Sequence, residues 1–319
     1  MWNIIQCAVQ GRGHASGNIP CQDKTFSVEK NGTVVTALAD GAERVTSSIC
    51  NDLAEHFDEY YSNSDGADVK MILIEKIRSQ LRELAEDMEC EMRDLASTLL
   101  FTAVRNGNYI LCHIGDGVLG YLKDGELKVA SKPENGEFAN TTVFTTSKDV
   151  MYSMRLIKGQ LGSIDGFVMM SDGTEAGLYN KRENKLAPAL LRIMNLMVYM
   201  RSDVLESQLT DSFYNVVRNT TTDDCSIVIM RNDHNICYNN MSRTQKAELL
   251  NLNKNSASLS RQIKSHDRIF GALEKEQPIN RIARISHIQM RYLKPKVDKL
   301  VELNLIEVKN RQYSTIIKL

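Results

Sequence analysis

No apolar run in this chain of 319 residues approaches the length that spans a bilayer, so no membrane-crossing helix is expected. The opening residues, MWNIIQCAVQGRGH, lack early positive charge and run straight into a strand-like pattern, which argues against a signal peptide. No two of the seven cysteines form a C-x-x-C pair. Cys7, Cys21, Cys50, Cys90, Cys112, Cys225 and Cys237 are scattered, odd in number and mostly set in apolar runs. That usage fits reduced, mostly buried thiols in a cytoplasmic protein. A G-x-x-x-x-G-K-S/T phosphate loop is also missing, which argues against a P-loop nucleotidase. Gly11-x-Gly13 with Gly17 follows a strand, yet Pro20 and a polar stretch stand where a dinucleotide fold would begin its helix. No internal repeat or low-complexity tract stands out.

What is present is the composition of an ordinary globular protein, 42% apolar and 25% charged. The length favours one large and one small domain. A net charge of −1 hides an uneven distribution. Of the 39 basic and 40 acidic residues, 16 and 7 lie from Met241 onward, leaving 23 and 33 before it. The tail carries +9 and the body −10, which points to two modules with different partners.

The body reads as strands, a helix pair, strands, further helices and a closing strand. Asn3–Val9, Thr25–Val28 and Thr33–Ala39 are strand candidates; Val45–Tyr61 and Val69–Leu95 have helical spacing. Strand patterns follow at Thr98–Arg105, Asn108–Ile114, Val118–Lys123, Leu127–Ala130, Thr142–Thr145 and Phe167–Ser171, with hairpin signals at Asn106-Gly107 and Asp124-Gly125. A helical block spans Pro188–Arg218 and a last strand Cys225–Met230. Strand clusters separated by helix pairs favour an α+β layered domain, with antiparallel sheet covered by helices, over an alternating parallel fold. The body is assigned to residues 1–238. Residues 239–265 are polar, Asn/Ser-rich and read as a linker. In residues 266–319, helices at Asp267–Lys275, Ile279–Ile285 and Pro295–Asn304 precede two strand-like segments, Leu305–Lys309 and Tyr313–Lys318. That is a winged helix-turn-helix pattern.

Four apolar strands meet a carboxylate at one end: Thr33–Asp40, Tyr109–Asp116, Gly166–Asp172 and Asp223–Arg231. The first three run directly into Gly41, Gly117 and Gly173, which lets the backbone turn sharply near a ligand. A single Asp-Gly pair is usually a turn, and turns explain one or two of these comfortably but four poorly. An aspartate at the end of a buried strand is costly without a partner. Several such oxygens converging on one spot suit Mg2+ or Mn2+.

The ordered set Gln22-Asp23, Ala39-Asp40-Gly41, Ser97-Thr98, Gly115-Asp116-Gly117, Ser171-Asp172-Gly173 and Asp223-Asp224-Cys225-Ser226 resembles the metal-dependent type 2C (PPM) protein phosphatases. The likeness covers about the first 232 residues. With His14 and the run Pro20-Cys21-Gln22-Asp23, the stretch GRGHASGNIPCQD is most similar to a bacterial branch, part of which is associated with stress-response gene clusters that also encode a kinase. The resemblance implies an αββα sandwich of two antiparallel sheets with two Mg2+ or Mn2+ ions, and a weaker third, between them. It implies that Asp40 bridges the two ions and that the Gly41 carbonyl binds one. Asp172 and Asp223 complete the other site; Asp223 is preferred to Asp224 because Ser226 lies three residues after it. Asp23 holds a metal-bound water, Asp116 serves the third position, and Arg12 stands where a phosphate-gripping arginine is found. The implied activity is hydrolysis of phosphoserine or phosphothreonine in proteins, with a cognate Ser/Thr kinase as a further partner.

Several residues depart from the family pattern. Ala42 replaces a histidine proposed as proton donor, Glu43-Arg44 a glycine pair, Gly117 a serine and Asp224 an asparagine. His14 could supply the proton, or be a satisfied loop residue. Cys225–Arg231 matches the C-x5-R spacing of cysteine phosphatases, but the intervening SIVIM is an apolar strand, not a phosphate loop. The tail basics Arg281, Arg284, Arg291, Lys294, Lys296 and Lys299, with Lys309 and Arg311 on the wing, could meet nucleic acid or merely solvate a protein-docking module. The competing class is a regulator whose phosphatase-like body senses a phosphorylated partner while the tail binds DNA.

Overall fold

The computed structural model describes residues 1–41, 43–133, 142–232 and 236–319; Ala42 lies outside them. Two compact units emerge: Trp2–Met194 with Glu206–Asn232, and Met1 and Asn195–Leu205 with Asp233–Leu319.

The strands of the first unit are β1 (Trp2–Val9), β2 (Asp23–Lys30), β3 (Thr33–Asp40), β4 (Leu99–Arg105), β5 (Asn108–Ile114), β6 (Val118–Lys123), β7 (Glu126–Ser131), β8 (Arg155–Gln160), β9 (Ile164–Met170), the short pair β10 (Tyr179–Asn180) and β11 (Lys185–Leu186), and β12 (Cys225–Asn232). They form two five-stranded antiparallel sheets, ordered β1-β12-β9-β6-β7 and β2-β3-β4-β5-β8, with β10 and β11 apart. The helices are α1 (Arg12–Ser16), α2 (Glu43–Ser62), α3 (Gly66–Asp87), α4 (Val150–Ser153), α5 (Asp172–Leu178), α6 (Pro188–Met197) and α7 (Ser202–Asn215). Tight turns at Asn31-Gly32, Asn106-Gly107 and Asp124-Gly125 close three hairpins, each with positive φ at both residues. That is the backbone a right-twisted hairpin demands.

β3 explains why its sequence alternates so little. Val35 and Ala37 face a core shared with Leu53 and Phe57 of α2 and Leu73 and Ile77 of α3. Val34 and Leu38 face a second core, with Leu100 and Leu111 from their own sheet and Leu119, Phe167, Met169, Val228 and Met230 from the opposite one. A strand buried on both faces reads as a continuous apolar run. On the other sheet, Met194 of α6 approaches Gly166 of β9, and Gln6 of β1 donates its N–H to Glu206 of α7 at 3.1 Å. The expected layers are therefore present.

Three local expectations change. β8 is an added edge strand. Thr142–Thr145 is not a strand; only Thr142 makes an isolated bridge. α3 stops at Asp87, and Met92–Leu95 forms a separate 3-10 turn in which Glu91 and Asp94 cap each other reciprocally. Side chains of the right polarity to continue a helix thus serve instead to start a separate turn.

In the second unit, the linker expected over 239–265 is folded. α8 (Arg243–Leu249) opens with a capping box between Ser242 and Gln245. Ala247, Leu259 and Ile263 form a small core, the last two on α9 (Leu259–Ala272), with Leu252 packed against it. Buried Tyr238 packs on Phe270 at 4.5 Å between ring centroids. Ser and Asn act there as caps and turns, so composition alone suggested disorder. β13 (Gln277–Pro278), α10 (Ile279–Ser286), α11 (Met290–Glu302), β14 (Ile306–Lys309) and β15 (Gln312–Thr315) follow, with sheet order β13-β15-β14. α11 begins five residues before Pro295, which is therefore interior and leaves the Arg291 carbonyl without its helical donor.

His113 of β5 is 2% exposed, with Nδ1 2.6 Å from the Ser131 hydroxyl. Burial, aided by Arg155, lowers its pKa to about 4. Below about pH 6.5 the unfolded chain takes up a proton that the native imidazole refuses until about pH 4. This residue should therefore remove roughly 3 kcal/mol of stability as pH falls through that window. Denaturant unfolding of wild type and His113→Gln at each pH checks this: the stability of wild type relative to the variant should drop on acidification, and a constant difference would refute it.

Candidate metal centre

Strand register assembles the acidic cluster. Asp23, first in β2, pairs directly with Asp40, last in β3, so the two side chains share a face. Asp40 has the parity of Val34 and Leu38, which puts that face between the sheets. Thr98 holds the end of β3: its hydroxyl accepts the Asp40 N–H at 3.0 Å and its own N–H donates to the Asp40 carbonyl at 3.0 Å. Gly41 turns away at φ +126°, and a Cβ there would stand 2.5 Å from the Ala96 carbonyl oxygen. At φ +114°, Gly115 similarly meets Thr98 and delivers Asp116, which accepts from the Thr142 hydroxyl at 2.5 Å. Only glycine fits such approaches.

Asp172 begins α5 and accepts the Gly173 N–H at 2.7 Å. The Ser171 hydroxyl accepts from Ser226 N–H at 3.0 Å and Ser171 N–H donates to the Ser226 carbonyl at 3.1 Å, which joins the end of β9 to the start of β12. Asp223 and Asp224 precede that start and behave differently. Asp224 is 2% exposed and accepts the backbone N–H groups of Gly11 and Gln22, both at 2.6 Å, while His14 Nδ1 lies 2.9 Å from it. Asp223 is half-buried and, among the described residues, its carboxylate accepts only the Asp224 N–H, at 2.8 Å.

The carboxylates act on one another. Burial first, then Asp40 and Asp172, push Asp23 up to about 8, against the pull of the Ser171 and Ser226 hydroxyls. Asp172 rises to about 7 through burial, Asp116, Asp223 and Asp40, although the Gly173 N–H opposes it. Asp40 rises to about 6 through burial, Asp223, Asp116 and Asp224, with His14 opposing. Burial would raise Asp224 too, but its two backbone donors and His14 bring it below the ordinary value. Asp224 in turn raises His14, against desolvation. All six aspartates foreseen from the sequence are thus brought into one electrostatic neighbourhood. Arg12 is engaged elsewhere: its guanidinium donates to the carbonyls of Asn219 and Thr221 at 3.3 Å, and Nη1 has no partner among the described residues.

The donor set fits a hard divalent cation. Its atoms are oxygens, and the buried Asp23 Oδ2 has no hydrogen-bond partner among the described residues. Burial first, then mutual repulsion, raises three of the carboxyls, and a cation offsets both. Among the described residues, no three acidic, His or Cys side chains close around a single point. Mg2+ and Mn2+ keep part of their water shell and so need few protein oxygens each. Cys225 offers no competing chemistry. Burial first, then Asp23, Asp224 and Asp223, push its thiol up to about 12, and Arg231 pairs with Asp165 at 3.3 Å at the other end of β12.

Two features escaped the sequence. Gly11-x-Gly13 is a packing device: a Cβ on Gly11 would lie 2.3 Å from the Asp223 backbone, and Gly13 N–H donates to the Thr222 carbonyl at 2.8 Å. Asp224 is the anchor beneath the centre, a role of which motif spacing, which only ranked Asp223 ahead of it as a ligand, gave no sign.

Residues 10–211 match the protein phosphatase 2C family, nearly two thirds of the chain, and the chain belongs to that family. It is a phosphoprotein phosphatase of a metal-dependent class. Serine/threonine-protein phosphatase 3 of Escherichia coli K12 is 24% identical over 199 residues, covering 57% of this chain and 78% of that protein. The serine/threonine phosphatase structure from S. agalactiae superposes with a TM-score of 0.52 at 15% identity, over 72% of this chain and 99% of that one. Serine/threonine phosphatase Stp1 from Staphylococcus aureus gives 0.50 at 15% identity, over 72% and 95%. The structural likenesses establish the fold.

The contrast between the neighbouring aspartates is measurable. Asp224→Ala should lower stability by roughly 3 kcal/mol, because it strands two N–H donors and His14. Asp223→Asn should leave stability unchanged or raise it in metal-free protein, since it removes charge from a repulsive cluster. Chemical denaturation in EDTA separates the two; equal losses would contradict the assignment of Asp224 as the anchor.

Proposed function

We propose that the chain hydrolyses phosphoserine and phosphothreonine in proteins, with Asp40, the Gly41 carbonyl, Asp172 and Asp223 holding two Mg2+ or Mn2+ ions. Asp23 orients a water and Asp116 serves a weaker third ion. The observation that carries this reading is the set of aspartates from separate strand ends that raise one another's pKa. When bound, the ions lower the pKa of water and neutralise charge on the phosphoryl oxygens. Thr98 holds the Asp40 backbone and the Gly173 N–H holds the Asp172 carboxylate, which keeps both aspartates in place in a partly dry site, where charge acts strongly. His14 leans through Nδ1 on Asp224, which leaves Nε2 to give a proton to the departing serine or threonine oxygen. Arg12 offers a phosphoryl oxygen its Nη1, while Nε and Nη2 stay on the Thr221 and Asn219 carbonyls. A protein Ser/Thr kinase must supply such substrates.

Full-length protein assayed on p-nitrophenyl phosphate and phosphothreonine peptides should be active with Mn2+ and inactive in EDTA. Asp40→Asn and Asp172→Asn should each lower kcat/KM by about two orders of magnitude or more. Mn2+ should raise the Tm of wild type but not of Asp40→Asn. Turnover that survives EDTA or both substitutions would sink the metal assignment.

The C-terminal unit is read as a winged helix-turn-helix: His287, in the left-handed region, and Ile288 and Gln289 join α10 to α11, and β14 and β15 form the wing. Arg281, Arg284, Arg291 and Lys294 are exposed and have no carboxylate partner among the described residues. Beside them Ile285, Met290, Tyr292 and Val308 are also exposed. Basic and apolar groups side by side favour an acidic protein surface as the partner over a phosphate backbone. A gel shift with duplex DNA at low salt should show no complex. A salt-sensitive shift lost in Arg291→Glu/Lys294→Glu would overturn the protein reading in favour of nucleic acid.

A further inference from the structure

A cleft of about 580 Å3 opens beside the acidic centre, with Gln22 and Gly41 at one end and Arg44, Leu84, Met88 and Leu95 along its sides. It is continuous with the catalytic backbone. Gly41 directly follows Asp40 and donates its N–H to the Gln22 carbonyl at 3.2 Å; the Gln22 N–H in turn donates to Asp224 at 2.6 Å. The cleft therefore adjoins the backbone that carries Asp40 and clasps Asp224. The volume falls within the roughly 300–1,000 Å3 of clefts that enclose small ligands, ample for a peptide side chain.

The chemistry of the walls narrows the occupant. Met88 is 60% exposed although large and apolar, and Leu84 and Leu95 are half-buried. The early end of α3 and the 3-10 turn after it create this uncovered surface. Arg44 would favour an acidic guest, but its Nη1 donates to Asp87 at 2.8 Å, so its charge already has a partner. Asp94 also lines the cleft and disfavours an acidic guest. Ser47 and Gln22 add neutral polar groups, and the larger part of the remaining lining is the aliphatic surface of Leu84, Met88 and Leu95.

We propose that this cleft receives an apolar side chain adjacent to the phosphorylated residue of the substrate protein, so that Leu84, Met88 and Leu95 determine which phosphosites are hydrolysed. This rests on the phosphatase reading above. The preference acts on binding, because the cleft touches the flanking chain and not the reacting phosphorus.

The test uses phosphothreonine peptides with Leu or Asp at each flanking position, and p-nitrophenyl phosphate, which has no flanking chain. Wild type should favour a Leu-flanked peptide by about tenfold or more in kcat/KM, through KM. Met88→Glu, at an exposed position that the fold does not need, and Leu84→Gln should reduce that preference to near unity and leave p-nitrophenyl phosphate turnover within about twofold. A wild type indifferent to the flank, or a preference that survives both substitutions, overturns the cleft while the phosphatase reading stands. No turnover of either substrate with Mn2+ overturns both.

Discussion

Negative charge packed against negative charge is the constraint around which the first unit is organised. Asp23, Asp40, Asp116, Asp172 and Asp223 occupy one rim between two sheets, where burial and then proximity disfavour the ionisation of Asp23, Asp40 and Asp172. A scaffold tolerates this only where the chain is held by other means. Here it is held by paired backbone bonds: Thr98 on Asp40, Ser171 with Ser226, and Gly11 and Gln22 on Asp224. The bonds that fix the carboxylates come mostly from main-chain groups and hydroxyls, so the charges remain available for a ligand.

Asp224 shows how the same residue type takes opposite parts one position apart. It is satisfied on every side and lies below its ordinary pKa. Asp223 turns its charge toward Asp40 and Asp172. One is clasped by the backbone, the other left open. His14 shares in the clasp, because the carboxylate that raises its basicity also ties α1 to the start of β12.

Much of this was legible in the residues. The apolar run of β3 ending on Asp40-Gly41 gave both the strand and the ligand candidate, and Asn106-Gly107 and Asp124-Gly125 gave their turns outright. What escaped was decided by partners distant in sequence. β8 is an edge strand whose residues Arg155 to Lys158 are all half-buried, so no alternation marks it. α3 ends where Met88 N–H turns back to the Glu86 and Leu84 carbonyls and Glu89 takes a left-handed φ of +53°, a break that residues of ordinary helical polarity do not announce. Asp223 and Asp224 could be ranked by motif spacing alone, yet their difference lies in N–H groups some two hundred residues earlier. In the tail, Ala247, Leu259 and Ile263 were too sparse among Asn and Ser to reveal a core.

β12 lies between β1 and β9 in its sheet, and the residue just before it clasps Gly11 and Gln22. The opening strand therefore has no neighbour on the sheet until residue 225 and those beyond it have been made. A nascent chain emerging from the ribosome carries Asp23, Asp40, Asp116 and Asp172 long before the clasp exists. Synthesis itself thus withholds the finished centre, and the enzyme matures only as its last strand slots home.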